Sequence, residues 1–133
     1  MELPKPELDE LTRPYWDGLA EGVLRFQRCA ACGHAWLPPR DACPRCLSAE
    51  AVWEAAGGGG RVVSWVVFHK AYHDAFADRV PYNVAIVELE EGPRLITNIL
   101  GPNGRLRVGL PVRLRVERDV GLFLPRFEVS GGG

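Results

Sequence analysis

The chain has no excess of either charge and no long hydrophobic run, and these two absences exclude whole classes of protein. Sixteen Lys and Arg residues stand against seventeen Asp and Glu residues, which gives a formal net charge of −1. A general nucleic-acid binder would need a basic excess, so this composition argues against one. No apolar stretch approaches the roughly 20 residues that a membrane-spanning helix needs. We therefore expect neither a nucleic-acid partner nor a membrane partner.

Cysteine is also scarce, and the four residues of this type fall into two tight pairs. Cys29 and Cys32 form the first pair, and Cys43 and Cys46 form the second. Two residues between cysteines allow both thiolates to converge on one ion, and two such turns supply the tetrahedral four-sulfur shell that zinc prefers. Four protein ligands leave no position for water or substrate, so we expect the Zn²⁺ to be structural. It would substitute for a hydrophobic core in a ribbon of about 30 residues.

Cysteine pairs of this kind have two other uses, in iron sites and in disulfides. Rubredoxins bind iron with turns of the same kind, so iron is an alternative to zinc at this point. Disulfides are disfavoured because residues 1–10 are polar and carry two prolines, unlike a signal peptide. We therefore expect reduced cysteines and a cytoplasmic location. Arg28, Arg40 and Arg45 lie beside the pairs in sequence, where they would compensate the charge of a four-thiolate site.

The hydrophobic pattern divides the chain into three parts. Residues 1–22 are predicted to be a helical arm, because apolar residues recur at three- and four-residue steps between residues 7 and 22. Residues 23–56 carry the cysteine pairs between short alternating segments, which predicts a zinc ribbon. Four consecutive glycines at 57–60 predict a flexible joint. Residues 57–133 are predicted to form a β domain.

The β domain is predicted to be a small barrel. Alternating apolar residues and intervening turn sequences predict five strands, at residues 61–69, 83–90, 94–100, 111–117 and 123–129. Five short strands in about 70 residues fit a closed Greek-key barrel of the OB type. The predicted fold class is therefore mainly β, with an N-terminal helical arm, a zinc ribbon and a C-terminal five-stranded OB-fold barrel.

Several segments together form a pattern that covers nearly the whole chain. They are Tyr15-Trp16-Asp17-Gly18-Leu19, the run from Gly22 to Gly33, Pro38-Pro39-Arg40, Cys43-Pro44-Arg45-Cys46 and Pro81-Tyr82-Asn83-Val84-Ala85-Ile86-Val87. This pattern resembles the zinc-ribbon/OB-fold family of acyl-CoA-associated proteins. The resemblance implies a rubredoxin-like ribbon in a non-catalytic subunit, which forms a hetero-oligomer with a thiolase-superfamily enzyme such as a thiolase-like aldolase or acyltransferase.

The resemblance also implies a role for the subunit. It would assist acyl-CoA binding or channelling by its partner, in a setting such as steroid or lipid side-chain degradation. A MaoC-like enoyl-CoA hydratase is the alternative partner.

Two pairs of side chains are candidates for contact with a partner or ligand. Tyr15 and Trp16 present a large apolar surface on the arm, which either packs on the chain's own ribbon or docks on another subunit. Arg113 and Arg115 alternate with apolar residues on the fourth barrel strand. They either form a solvated face or contact the phosphates of CoA.

The connection between the first two barrel strands is the segment that most resembles an active site. It contains Tyr72, His73, Asp74 and Phe76. Adjacent side chains diverge and rarely form a catalytic dyad, and no nucleophile lies near them in sequence. We therefore expect no catalytic residues, and contacts of Tyr72, His73 and Phe76 with a partner or a substrate tunnel. An independent small acyl-CoA enzyme that uses residues 69–74 is the less favoured alternative.

Overall fold

A computed structural model describes residues 10–69, 82–119 and 121–130. The described residues form one helix, α1 (Arg13–Ala20), and eight strands: β1 (Arg25–Cys29), β2 (Ala35–Trp36), β3 (Ala51–Ala55), β4 (Gly59–Phe68), β5 (Tyr82–Leu89), β6 (Arg94–Thr97), β7 (Pro111–Asp119) and β8 (Leu122–Val129). A 3₁₀ turn, Asn103–Arg105, precedes β7. The strands form a three-stranded sheet of order β2-β1-β3 and a five-stranded sheet of order β6-β5-β4-β7-β8. The predicted fold class is confirmed.

Helix α1 is shorter than the predicted helix, whose first residues lie outside the described part of the chain. Pro14 occupies the first turn, where its missing N–H is not needed. Thr12 lies at the N-cap position, but its side chain makes no capping hydrogen bond. Gly22 follows the helix with a φ of +82°, and its N–H donates to the carbonyl of Leu19 at 3.0 Å. This left-handed backbone at the end of the helix favours glycine.

The arm, the ribbon and the barrel share one hydrophobic core. Leu19 of α1 and Leu24, just before β1, are fully buried in the same cluster as Phe127 of β8. Tyr15 and Trp16 are partly buried against that cluster. Each buried leucine contributes about 1.5–3 kcal/mol relative to an exposed one. The described part of the arm is therefore held on the chain's own barrel.

The barrel closes between the segment that follows β6 and strand β8. Ile99 and Phe127 form a parallel bridge there, whereas the ladders within the five-stranded sheet are antiparallel. The N–H of Leu100 donates to the carbonyl of Phe127 at 2.8 Å, and the N–H of Phe127 donates to the carbonyl of Asn98 at 3.1 Å. These bonds join the two ends of the sheet and produce the strand order of an OB barrel.

The prediction of a flexible joint at residues 57–60 is wrong for its last two glycines. Gly59 and Gly60 lie in β4, where they pair with β7. A Cβ on Gly60 would lie 2.7 Å from the backbone oxygen of Glu88, and one on Gly59 would lie 2.7 Å from Oε1 of Glu90. Glycine is needed at position 60, where backbone approaches too closely for a Cβ, whereas the atom near position 59 is the movable end of a side chain.

Candidate metal centre and apolar groove

Two turns bring the four cysteines together at one end of the three-stranded sheet. The four Sγ atoms lie within 4.8 Å of one another, and those of Cys29 and Cys46 are 3.5 Å apart. Those of Cys32 and Cys43 are 3.7 Å apart. A tetrahedron with metal–sulfur bonds of about 2.3 Å has sulfur–sulfur edges of about 3.8 Å. The donor set and its spacing therefore fit a four-sulfur zinc site.

The same backbone turn is built twice around this site. The N–H of Gly33 donates to the carbonyl of Cys29 at 2.9 Å, and the N–H of Leu47 donates to the carbonyl of Cys43 at the same distance of 2.9 Å. Gly33 has a φ of +80°, and Leu47 has a φ of +67°. We call the two turns, residues 29–34 and 43–48, the first and second zinc knuckles. The second knuckle places a leucine where the first has a glycine.

Backbone N–H groups donate hydrogen bonds to two of the sulfurs and favour their thiolate form. The N–H of Cys32 donates to Sγ of Cys29 at 3.4 Å and is the main reason why the pKa of Cys29 is lowered to about 6. Burial raises the pKa of Cys43, but the N–H groups of Cys46 and Arg45, at 3.4 and 3.3 Å from its Sγ, lower that pKa overall. Hydrogen bonds of this kind favour the thiolate, which is the form that binds zinc.

The arginines beside the cysteines contact the ribbon through both their side chains and their backbone. The guanidinium of Arg28 donates to the carboxylate of Glu54 at 2.7 Å and to the carbonyl of Gly33 at 2.8 Å. These two contacts link the first knuckle to β3. Arg45 contributes its backbone N–H to a sulfur. Backbone N–H groups stabilise the thiolates directly, and compensation of the site's charge by the three guanidinium groups stays a prediction.

A buried polar network, which sequence reasoning missed, joins β1 to the loop after β2. Gln27 is 4% exposed, and its Oε1 accepts from Nε1 of Trp36 at 2.9 Å and from the N–H of Arg40 at 2.7 Å. Its Nε2 donates to the carbonyl of Arg40 at 3.1 Å. The network therefore fixes both ends of the segment that contains Pro38 and Pro39. The one signal in the sequence was a glutamine at an inward-facing position of a strand.

An apolar groove of about 610 Å³ lies where the arm, the ribbon and the barrel meet. Its lining includes Tyr15 and Trp16 of α1, Pro38 and Pro39 of the ribbon, and Ile86 and Ile96 of the barrel. Ile96 is 73% exposed, which is unusual for a large apolar residue. Burial raises the pKa of Tyr15 to about 12. Tyr15 and Trp16 thus pack on the chain's own core and also present an apolar surface to the groove.

The groove carries one arginine, Arg94, and this side chain is already paired. Its Nε lies 2.9 Å from a carboxylate oxygen of Glu88, whose other oxygen lies 2.7 Å from the guanidinium of Arg61. Hydrogen bonds from Arg61 and Arg94 lower the pKa of Glu88. Because Glu88 already pairs with Arg94, the groove offers a partner a mainly apolar surface.

The remaining candidate residues are distributed as follows. Arg113 and Arg115 are exposed on β7, as the alternation predicts, and Arg115 pairs with the carboxylate of Glu128 at 3.1 Å. Tyr72, His73 and Phe76 lie outside the described residues. Within residues 10–69, 82–119 and 121–130, the cysteines form the one cluster of metal-ligating side chains. No helix in that part of the chain has the length and apolarity to cross a bilayer.

The fold and the metal site together define a class: proteins with a rubredoxin-like zinc ribbon followed by an OB barrel. Family profiles match both halves, the ChsH2 rubredoxin-like zinc ribbon domain at residues 16–51 and the ChsH2 C-terminal OB-fold domain at residues 53–117. The chain belongs to the ChsH2 (DUF35) family, as the sequence resemblance predicted. The family model is that of a zinc ribbon, and the four clustered cysteines fit a structural zinc.

Solved structures agree with this assignment. The chain is similar to a chain of the Ltp2-ChsH2(DUF35) aldolase, with a TM-score of 0.83 and 37% identity, over 96% of this chain and 100% of that one. A DUF35-family protein from Sulfolobus solfataricus matches with a TM-score of 0.64 over 91% of this chain and 86% of its own. Its identity of 15% limits that comparison to the fold.

The chain also matches parts of longer curated proteins. A probable enoyl-CoA hydratase alpha subunit of Thermomonospora curvata is 39% identical over 93% of this chain but only 39% of its own length. The 3-oxo-4,17-pregnadiene-20-carboxyl-CoA hydratase alpha subunit of Mycobacterium tuberculosis is 34% identical over 82% of this chain and 34% of its own. A DUF35 domain-containing scaffold protein of Methanocaldococcus jannaschii is 39% identical over 55% of this chain and 52% of its own. The chain thus spans about a third to a half of these relatives.

Proposed function

We propose that the chain is a non-catalytic accessory subunit that binds a thiolase-superfamily enzyme in a hetero-oligomer. The observation that carries this proposal is the similarity, over 96% of the chain, to a chain of the Ltp2-ChsH2(DUF35) aldolase. The scaffold name of the Methanocaldococcus relative supports a structural role. The metal site supports it as well, because four protein ligands leave the zinc no position for a substrate.

The apolar groove is the surface that we propose for docking the partner. Its walls come from three parts of the chain that share one core, so little conformational freedom is lost when a partner binds. Tyr15 and Trp16 have the aromatic character that concentrates binding energy at interfaces. In this proposal the zinc ribbon holds the Pro38-Pro39 wall at a fixed distance from the arm. Tyr72, His73 and Phe76 would extend the contact with the partner or line a tunnel to it.

We further propose that the chain assists acyl-CoA binding or channelling. Arg113 and Arg115 are exposed and point to the same side of β7, so they would contact the phosphates of CoA. Arg115 would then share its charge between the phosphate and Glu128. The steroid-CoA name of the Mycobacterium relative supports steroid or lipid side-chain degradation as the setting. Reduced cysteines, which a zinc site requires, support a cytoplasmic location.

The experiment mixes the purified chain with Ltp2, the other component named in the solved aldolase. We expect a hetero-oligomer by size-exclusion chromatography with light scattering, and aldolase turnover by the mixture that exceeds that of Ltp2 alone. Ile96→Ser should weaken the complex about tenfold, because it removes an apolar contact from the groove. Val108→Ser is the matched control, since Val108 is also 73% exposed but does not line the groove.

Two outcomes would contradict the proposal. Turnover by the isolated chain that His73→Ala abolishes would favour the independent enzyme that uses residues 69–74. Equal affinities for the wild-type chain and Ile96→Ser would exclude the groove as the docking surface.

A hydratase partner is the second candidate, and the names of two relatives favour it. Both are hydratase alpha subunits, and this chain spans only 39% and 34% of their lengths. The same mixing experiment with a MaoC-like enoyl-CoA hydratase separates the candidates, because the true partner should bind at lower protein concentration.

A further inference from the structure

The second zinc knuckle carries an exposed leucine in a backbone conformation that leucine disfavours. Leu47 has a φ of +67°, in the left-handed region where a Cβ crowds the backbone. Its side chain is 78% exposed, the largest exposed fraction among the large hydrophobic residues in the described part of the chain. Two separate costs, backbone strain and exposure of apolar surface to water, therefore fall on one residue.

The knuckle itself does not require this leucine. The first knuckle forms the same N–H to carbonyl bond, 2.9 Å long, with Gly33 in the matching position at a φ of +80°. Glycine adopts this conformation without steric cost, so it would serve zinc binding at position 47 at least as well. The side chain of Leu47 consequently contributes nothing to the knuckle that glycine would not provide.

The exposed residues of the two knuckle tips are mostly apolar, and the guanidinium of Arg28 reaches the carbonyl of Gly33 at 2.8 Å. Ala30 and Ala31 of the first knuckle and Pro44 of the second are exposed, and Arg45 is the one charged residue in the stretches 30–33 and 44–47. The metal site holds the two stretches together, because the four sulfurs lie within 4.8 Å of one another. The exposed residues of both knuckle tips therefore lie around one metal site and are mostly apolar, with Arg45 among them.

We propose that Leu47 is a docking residue that inserts into an apolar pocket of the partner enzyme, with Arg45 facing a carboxylate at the rim of that pocket. This inference rests on the proposed function and adds a contact at the zinc knuckles, separate from the groove. A zinc-held turn presents its side chain with little loss of conformational entropy, which is the property that a docking anchor needs.

The test compares affinities for Ltp2 with the stability of the free chain. Leu47→Gly and Leu47→Asn both suit a positive φ, so each is expected to retain zinc and to melt at the wild-type temperature or above it. Each should raise the Kd for Ltp2 about 10- to 100-fold, the effect of losing one buried leucine from an interface. Arg45→Glu should also raise the Kd, most strongly at low salt. Val108→Ser is the control, as a substitution of a similarly exposed apolar residue on a barrel loop.

Three results would overturn the proposal. A Leu47→Gly chain that binds Ltp2 as tightly as wild type would refute the docking role of Leu47 and leave the proposed function intact. Equal losses of affinity in Leu47→Gly and Val108→Ser would assign the effect to general surface hydrophobicity. A wild-type chain that binds neither Ltp2 nor a MaoC-like hydratase would overturn the accessory function, and the docking role with it.

Discussion

Replacing Gln27 by leucine tests whether the buried polar network holds the ribbon wall of the groove. The substitution keeps the approximate size of the side chain but removes an acceptor and a donor. Three hydrogen bonds are lost: one from the indole N–H of Trp36 at 2.9 Å, and two with the backbone of Arg40 at 2.7 and 3.1 Å. Because all three bonds lie within the ribbon, the effect on stability should originate there.

The loss of stability depends on whether water can reach the polar groups that no longer have Gln27 as a hydrogen-bond partner. Trp36 is only 4% exposed, so its N–H would be left without a partner, at a cost of about 1–3 kcal/mol. Arg40 is exposed, so its backbone groups would regain water, and each lost bond would cost only about 0.5–1.5 kcal/mol. Better burial of an apolar side chain offsets part of this loss. We expect Gln27→Leu to lower the free energy of unfolding by about 2–4 kcal/mol.

A double-mutant cycle with Trp36→Phe isolates the contribution of the indole. Phenylalanine removes the N–H, so in that background Gln27→Leu should cost about 1–3 kcal/mol less than in the wild-type chain. The measurement is urea denaturation followed by circular dichroism, with the free zinc concentration held constant. The Gln27→Leu chain should also bind Ltp2 more weakly, because Pro38 and Pro39 would lose their fixed position.

An additive cycle would refute this reasoning, since additivity means that Gln27 and Trp36 do not interact in solution. If Gln27→Leu leaves the free energy of unfolding unchanged, the three hydrogen bonds of Gln27 do not stabilise the chain, and the reasoning is refuted.

Two further predictions concern the barrel and the metal. Gly60→Ala should lower the free energy of unfolding by about 1–3 kcal/mol, because its Cβ would lie 2.7 Å from the carbonyl oxygen of Glu88. Gly104→Ala, which meets nothing within 4 Å, should be nearly neutral, and equal melting temperatures for the two variants would contradict the close approach. Cys43→Ser, which removes a buried ligand, should release the zinc and unfold the ribbon while the barrel strands persist. Elemental analysis and far-ultraviolet circular dichroism check this prediction, and a red protein that contains iron would contradict the zinc assignment.

The strands could be predicted from the sequence because burial on one face of a strand produces a period of two. In β5, buried and partly buried residues alternate along the whole strand, and the prediction differs from the observed strand by one residue at each end. The helix was predicted too long, because apolar periodicity does not reveal where hydrogen bonding begins.

Local sequence could not decide whether the glycines at 57–60 form a linker or a strand, nor what the aromatic residues of the arm contact. A run of glycines has the same composition in a linker and in a strand, and only the approach of Glu88, about 28 residues further along the chain, distinguishes the two at Gly60. Tyr15 and Trp16 were expected to pack on the chain itself or to serve a partner. Their contact with the barrel core alongside Leu19 became visible only in the folded chain.

The sequence by itself determined the metal site, because each cysteine pair converges within a single turn and its geometry follows from the two-residue spacing. The tertiary structure alone decided the groove. Its lining comes from residues 12, 15–16, 37–39, 86 and 94–96, which are far apart in the chain and meet only because the arm and the ribbon share a core with the barrel. The features that distinguish Leu47 depend partly on the sequence and partly on the tertiary structure. The sequence places it after the second cysteine of its pair, as it places Gly33, but only the folded chain shows its positive φ and its exposure, on which the proposed docking role rests.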